Sequence, residues 1–225
     1  MTEPSPGNSA NRRPGRPDAA HAGAARDGLL LAARELMTEK GLPAVTVREI
    51  AERAGVQPAL VNYHFGGKDG LLRSVLGSVS EEMAQRIQEV TTGLGSIEER
   101  VHELLHGVVE ALTANPYAPR LMVEQVLFAG DDVIDDFVER FARPNLAAIH
   151  SLLDDGLHSG VLRRVDSRFL VPFLFGSCIF LFLHAPVLRR LYGIDEIDSD
   201  LASEFADRFA ELVMHGIAAP RGTSS

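Results

Sequence analysis

Cysteine is almost absent: Cys178 is the only one in 225 residues. An internal disulfide is therefore excluded, and a reducing compartment is the simplest expectation. No stretch alternates apolar and polar residues as a half-buried strand would, so there is no strand after which a phosphate-cradling glycine loop could sit. No Ser-His-Asp or Cys-His arrangement can be assembled from the spacing, and no internal repeat indicates a solenoid. Long apolar runs are missing too. The longest, Phe169 to Leu183, covers 15 residues and is broken by Pro172, Gly176 and Ser177, short of the roughly 18 to 20 that a membrane span needs. It reads as a buried helix. With no apolar core of a signal peptide near Met1, the chain is expected in the cytoplasm and without a membrane partner.

What is present suits a globular chain of one small module and one larger domain. Hydrophobic residues make up 45% of the sequence and mean hydropathy is close to zero, enough for a substantial core. The net charge of -9 is unevenly spread: residues 1–80 carry ten Lys/Arg against eight Asp/Glu, and residues 81–225 carry twelve against twenty-three. The sign changes where a domain boundary is expected. A surface that displaces counterions from phosphate needs only local positive charge, so an acidic whole does not argue against nucleic-acid binding.

Residues 1–22 are rich in Pro, Gly, Ser and Asn, with Arg12, Arg13 and Arg16 clustered. They are expected to form a flexible basic arm, either simply solvated or reaching a neighbouring phosphate or minor groove. From Ala24 the pattern is helical almost throughout, and a short disordered tail is expected at 220–225. Leu29, Leu30, Ala33, Leu36 and Met37 give the first helix its buried face, with Gly41 at its end. Thr46 and Glu49 form a T-x-x-E capping box for a second helix, Val47 to Ala54, and Ser96 with Glu99 does the same for a fifth. A third helix has Pro58 in its first turn and Phe65 near its end, and a fourth runs from about Lys68 toward Val90. Further helices are expected over Pro119 to Phe128, Val133 to Leu157, Arg168 to His184 and Ser199 to Ala218. The fold class is thus all-α with about nine helices, divided into 23–82 and 83–219.

The segment from Thr46 to Phe65 has the dimensions of a helix-turn-helix: about eight helical residues, a tight turn at Gly55, and about nine more. Ile50, Ala51, Ala54, Val56, Val61 and Phe65 can close an apolar wedge between the helices, freeing the start of the third for a major groove. Here the chain resembles the tetracycline-repressor (TetR) family over roughly residues 24–76. The resemblance rests on Leu29-Leu30, Ala33, Leu36-Met37 and Gly41; on Thr46-Val47-Arg48, Ile50-Ala51 and Ala54-Gly55-Val56; and on Ala59-Leu60-Val61-Asn62-Tyr63-His64-Phe65 followed by Gly67-Lys68-Asp69 and Leu71-Leu72. Two positions depart from the family pattern. Asn62 stands where a tyrosine is usual, with Tyr63 one place later, and Ala59 replaces the usual Gly or Pro. Both changes fall on the reading surface and bear on the operator sequence.

Roles follow from the groups themselves. Thr46 caps its helix and can donate to the DNA backbone, while Arg48 can offer two parallel donors to guanine or to a phosphate. Gln57 and Asn62 carry amides suited to adenine, and Leu60 can meet only an apolar edge such as the thymine methyl. Tyr63, His64 and Lys68 are placed to hold phosphates. For each of these the bland alternative is a solvated helix face, or a packing role for Tyr63.

The resemblance implies that the region beyond about residue 80 dimerises and holds a small-molecule inducer, and that the protein is a ligand-responsive regulator that represses from a palindromic operator, with double-stranded DNA as partner and no cofactor. The residues are compatible with this. The helix over 168–184 has almost no polar face and must be covered all round. The last, over 199–218, carries one apolar stripe from Leu201, Phe205, Phe209, Leu212 and Val213. Two copies of this pair can form a four-helix homodimer interface; an ordinary monomeric core is the alternative. Met122, Phe128, Phe169, Phe173 and Phe180 can line an apolar effector site, with His106, Tyr117, Glu124, His150 and His184 supplying polar contacts; the same residues can equally be core.

One pattern points elsewhere. His102-Glu103-Leu104-Leu105-His106 matches H-E-x-x-H, the helical zinc motif of metallohydrolases, with Glu124 available as a third ligand. Read this way, the chain is a metal-responsive regulator or a zinc hydrolase. Val101, Leu104, Leu105, Val108 and Leu112 already explain the helix as core-facing, which leaves His102 and His106 as boundary residues.

Overall fold

The computed structural model describes residues 19–218. Eleven α-helical segments account for most of them: α1 Ala19–Lys40, α2 Val47–Arg53, α3 Ala59–Phe65, α4 Lys68–Thr92, α5 Ile97–Ala114, α6 Ala118–Met122, α7 Asp131–Phe137, α8 Arg143–His158, α9 Ser167–Leu183, α10 Ala185–Tyr192 and α11 Ser199–Ile217. No strand occurs among the described residues; a single antiparallel bridge joins Leu162 to Ala218. The segment expected as an arm, 1–22, falls outside the described residues up to Asp18, and the tail at 220–225 falls outside them entirely. Residues 19–22 are helical, so α1 begins five residues before the apolar pattern that announced it.

Two helices contain π turns. α6 runs on into one at Val123–Leu127, and another at Val138–Ala142 joins α7 to α8. Counting each continuous rod once gives ten among the described residues, where the sequence suggests nine. The additional rod is α10, which starts immediately after His184 with Pro186 in its first turn and ends at Gly193, whose φ of 69° is the left-handed conformation of a helix stop. Its signals are present in the sequence but occupy only eight residues. No single helix among the described residues is long and apolar enough to cross a membrane; α9 and α10 reach that length only together, and they are bent by 64°.

The N-terminal helices share one core, built from Leu29, Ala33, Leu36 and Met37 of α1, Ile50 and Ala51 of α2, Val61 of α3 and Leu71, Leu72 and Val75 of α4, all buried. Each of its Leu, Ile, Val and Met side chains contributes about 1.5–3 kcal/mol by leaving water. Around it, Arg53 bonds Glu39 at 2.8 and 2.9 Å and Glu35 at 3.2 Å, holding α2 against α1. Gly70 in the first turn of α4 is required by close approach. A Cβ built there would lie 1.8 Å from the Phe65 carbonyl oxygen, so the absence of a side chain lets α4 start directly against the end of α3.

The second half of α4 passes into the larger domain. After the Gly93–Gly95 turn the chain returns as α5, whose buried Arg100 donates to the Val90 carbonyl at 3.3 Å and to that of Thr91, and meets the Asp155 carboxylate of α8 at 3.3 Å. These bonds reach carbonyls in the last turn of α4, where that of Val90 also accepts the Gly93 N–H at 3.3 Å. α5 also packs along α11, where Ala202, Ala206 and Ala210 are buried at one-turn spacing and permit a close approach of the two helices.

Both capping boxes expected from the sequence are formed. Thr46 Oγ1 accepts from the Glu49 backbone N–H at 3.3 Å, and Glu49 Oε2 accepts from the Thr46 N–H at 3.1 Å; Ser96 and Glu99 repeat the arrangement. Glu49 also receives the Lys40 amine at 2.8 Å. The bond from Lys40, followed by those from Thr46, holds the Glu49 carboxyl down at about 2 against an ordinary 4.5. Because the folded-state value is depressed, its contribution to stability is complete above the unfolded value and is lost as pH falls. Glu49→Gln should therefore lower stability at neutral pH and flatten the acid-unfolding curve between about pH 4.5 and about pH 2, measured by circular dichroism of variant and parent across that window.

Candidate nucleic-acid interface and apolar cavity

The turn between α2 and α3 depends on Gly55, whose φ of 68° is left-handed. It lets the Val56 N–H return to the Ala51 carbonyl at 2.9 Å. Ile50, Ala51 and Val61 are fully buried beneath it, with Ala54, Val56, Leu60 and Phe65 packed against the same core. The wedge thus uses each residue expected of it and includes part of Leu60. With this side of α3 committed to packing, the other faces outward: Gln57, Ala59, Asn62 and Tyr63 are exposed, and His64 is half-buried. Tyr63 is 71% exposed and meets the His64 ring edge-on at 4.9 Å.

Two basic groups flank this face. Arg48, exposed on the first turn of α2, makes no ion pair among the described residues. Lys68, at the start of α4, donates to the Val45 carbonyl at 2.8 Å. The bond ties α4 to the residue preceding the Thr46 cap and fixes the amine close to the N-terminus of α4, where backbone N–H groups also face outward. By contrast, Lys40 and Arg53 are engaged with carboxylates.

In the larger domain the helices enclose an apolar cavity of about 450 Å³, within the range of sites for small organic ligands. α4 contributes Leu76, Val79, Ser80 and Met83, α8 contributes Asn145 and Ile149, and α9 contributes Val171, Phe175 and Ile179. Both π turns contribute to the wall, through Val123 and Leu127 and through Phe141 and Ala142. Such turns recur at functional sites because they widen a helix locally. Ser80 and Asn145 are the polar residues of the lining.

Among the residues proposed from sequence for an effector, only Met122 reaches this wall. Tyr117 is buried, but its hydroxyl donates to Asn115 Oδ1 at 2.8 Å. That same oxygen accepts from Arg34 of α1 at 3.2 Å, and Arg34 also bonds Glu82 of α4; burial raises the Tyr117 hydroxyl above its ordinary value, opposed by the neighbouring Arg34. Glu124 is bound to Arg120 at 2.6 Å, and His150 to Ser167. Phe128 is 83% exposed, and Phe169, Phe173 and Phe180 lie on the outer side of α9 at 73%, 57% and 58% exposure. His184 sits against Phe180 at 4.8 Å. These residues fail to converge because an apolar helix such as α9 gives no periodic clue to which face turns inward. The cavity residues of α4, α8 and α9 carried no sequence signal distinguishing them from core.

The histidines of the H-E-x-x-H pattern meet Asp207 of α11, at 2.9 Å from His102 and 2.8 Å from His106. Glu124, expected as the third member, belongs instead to the Arg120 pair on another helix.

Residues 29–75 match the model of the bacterial regulatory proteins, tetR family, and residues 95–223 match the tetracyclin repressor-like C-terminal domain. The chain is 30% identical over 172 residues to the HTH-type transcriptional repressor Rv3405c of Mycobacterium tuberculosis, covering 76% of this chain and 79% of that one. It is 31% identical over 83 residues to the HTH-type transcriptional regulator BetI 1 of Chromohalobacter salexigens, covering 36% of this chain and 41% of the relative. The crystal structure of a TetR/AcrR family regulator from Thermobifida fusca superposes with a TM-score of 0.66 at 25% identity, over 85% of this chain and 97% of the other. The outward face of α3, supported by its buried wedge, and the matches to both family models agree: this chain belongs to the tetR family of bacterial regulatory proteins and is a DNA-binding transcriptional regulator, not an enzyme.

Proposed function

We propose that the protein is a ligand-responsive repressor that binds a palindromic operator as a homodimer in the cytoplasm, with 23–82 as its DNA-binding unit and 83–219 as its effector and dimerisation unit. The observation that carries the DNA-reading part is the exposed row on α3 above a wedge whose centre, Ile50, Ala51 and Val61, is fully buried. Gln57, Ala59, Leu60 and Asn62 enter the major groove, Thr46 and Arg48 approach from the first turn of α2, and Tyr63, His64 and Lys68 hold phosphates. Lys68 keeps one N–H on Val45 and directs the others, with the N-terminus of α4, at a phosphate. Repression is supported by the name of the mycobacterial relative.

Dimerisation is supported by an apolar face that stays largely exposed among the described residues. Phe169, Phe173, Phe180 and Leu183 of α9 are exposed along one side, and Leu212 of α11 is 69% exposed. Phe173 packs on Phe209 at 5.5 Å and Phe209 on Phe205 at 5.6 Å, so the two helices already form one surface. A second copy is the natural cover for aromatic area of this kind. Pro172, Gly176 and Leu183 belong both to this exposed side and to the cavity wall, so the partner would also close the cavity.

The effector is an apolar or amphipathic molecule with one or two polar groups to meet Ser80 and Asn145. By shifting α4 it would alter the separation of the two recognition helices from the roughly 34 Å that adjacent major grooves require. A coupling of about 1–3 kcal/mol suffices for a 5- to 150-fold change in operator affinity.

Selection of bound DNA from a random pool at fixed salt should yield a palindrome; failure to enrich any sequence would refute the operator reading. On the selected site, Arg48→Ala and Lys68→Ala should weaken binding, with Lys68→Ala doing so on all sequences and lowering the salt slope by about one. Asn62→Ala should instead change the preferred base at one position. In analytical ultracentrifugation the parent should sediment as two chains and Phe180→Glu as one; a monomeric parent would refute the symmetric operator. Met83→Trp, which places an indole in the cavity, should retain operator binding but lose release by apolar ligands, read by fluorescence anisotropy of labelled operator.

A further inference from the structure

His102 and His106 are one turn apart on α5 and therefore share a face. Their rings stack with centroids 4.3 Å apart at 25°. Both present Nε2 to one atom, Oδ1 of Asp207, 105 and 101 residues later in the chain. One ligand atom from each residue lies within 4.8 Å of the other two. We propose that His102, His106 and Asp207 bind one divalent transition-metal ion of the zinc type, which clamps α5 to α11.

The chemistry of the donor set favours that class of ion. Two imidazole nitrogens and one carboxylate oxygen suit zinc, cobalt or nickel, whereas magnesium and calcium prefer oxygen throughout. Tetrahedral bonds of about 2.0–2.1 Å set neighbouring ligand atoms about 3.3 Å apart. The two N···O separations of 2.9 and 2.8 Å would open by about half an ångström, and the third separation, which lies within 4.8 Å, would close toward the same value as the ion enters. The ion takes the Nε2 lone pair of each imidazole, so each bound ring carries its proton on Nδ1.

Access and rigidity are both provided. The side chains of His102 and Asp207 are 48% and 58% exposed, while His106 is 20% exposed and anchors the site at the helix interface. The alanine stripe of α11 keeps that interface tight, so the ligands are brought together before any ion arrives. The two histidines already hold the Asp207 carboxyl below its ordinary value, His106 more than His102. Arg86, the cation lining the neighbouring hollow, is directed at Glu110 at 3.6 Å. A bound ion would stiffen the helix pair that carries Leu212 of the proposed dimer face. That consequence rests on the dimer reading; occupancy of the site does not.

The test uses the full chain, stripped with chelator and studied without DNA, so its outcome is separate from operator binding. Calorimetric titration with zinc chloride should show one ion per chain and a raised melting temperature. His106→Ala and Asp207→Ala should each weaken binding by at least about tenfold, since even residues behind the ligands cost that much. Absence of stoichiometric zinc binding by the parent, or equal affinity in folded variants, would overturn the proposal. Should the variants not fold, cobalt added to the parent decides the matter. Paramagnetic shifts confined to two of the eight histidines, with the visible bands of four-coordinate cobalt, are the expected result. Shifts on other histidines, or none, would overturn it.

Discussion

The architecture turns on one helix belonging to two cores. Leu71, Leu72 and Val75 of α4 complete the core beneath the helix-turn-helix, while Leu76, Val79 and Met83, further along the same rod, line the cavity. A close-packed helix is not easily bent, so displacement at one end is felt at the other. Both ends are pinned. Gly70 seats the first turn directly on the Phe65 carbonyl, and Arg100 gathers the last carbonyls and carries them to α8. Arg34 adds a polar connection near the middle, joining α1 to Glu82 and Asn115. In the proposed switch, these fixed points make α4 the element through which cavity and DNA-reading surface exchange free energy.

The separation between residues that fold the N-terminal unit and residues that would read DNA is a separation by burial. Ile50, Ala51 and Val61 are inaccessible and set the angle between α2 and α3. Asn62, Ala59 and Gln57 lie on the opposite side and contribute little to that packing. Substitution on the outer face should therefore have a small effect on stability, which allows the departures at Asn62 and Ala59 without disturbing the fold. Lys68 spans both categories because its amine also secures the Val45 carbonyl.

The larger domain shows the opposite relation between composition and role. α9 is apolar on every side, yet its sides differ completely in environment: Leu174 and Cys178 are buried in the core, Val171, Phe175 and Ile179 face the cavity, and Phe169, Phe173 and Phe180 face outward. Burial pushes the Cys178 thiol up to about 12, so it is an inert packing group at neutral pH. The two π turns contribute to the cavity wall by widening helices whose sequences look ordinary.

Local chemistry was legible from the sequence wherever a short segment determines its own geometry. The capping boxes at Thr46 and Ser96, the turn at Gly55, the wedge of the helix-turn-helix and the all-α class all depend on neighbours within a few residues, and periodicity reports them. The short rod α10 is not legible in the sequence although Pro186 and Gly193 bracket it, because eight residues give too little periodicity to register. Other features required the tertiary structure. Periodicity cannot orient a helix that is apolar all round, so Phe169, Phe173 and Phe180 could not be assigned to surface or cavity. Nor can spacing within α5 reveal that the partner of His102 and His106 is Asp207, over a hundred residues away. Folding brings them together because the small side chains of α11 allow α5 to lie close, a relation between two helices that neither sequence contains by itself.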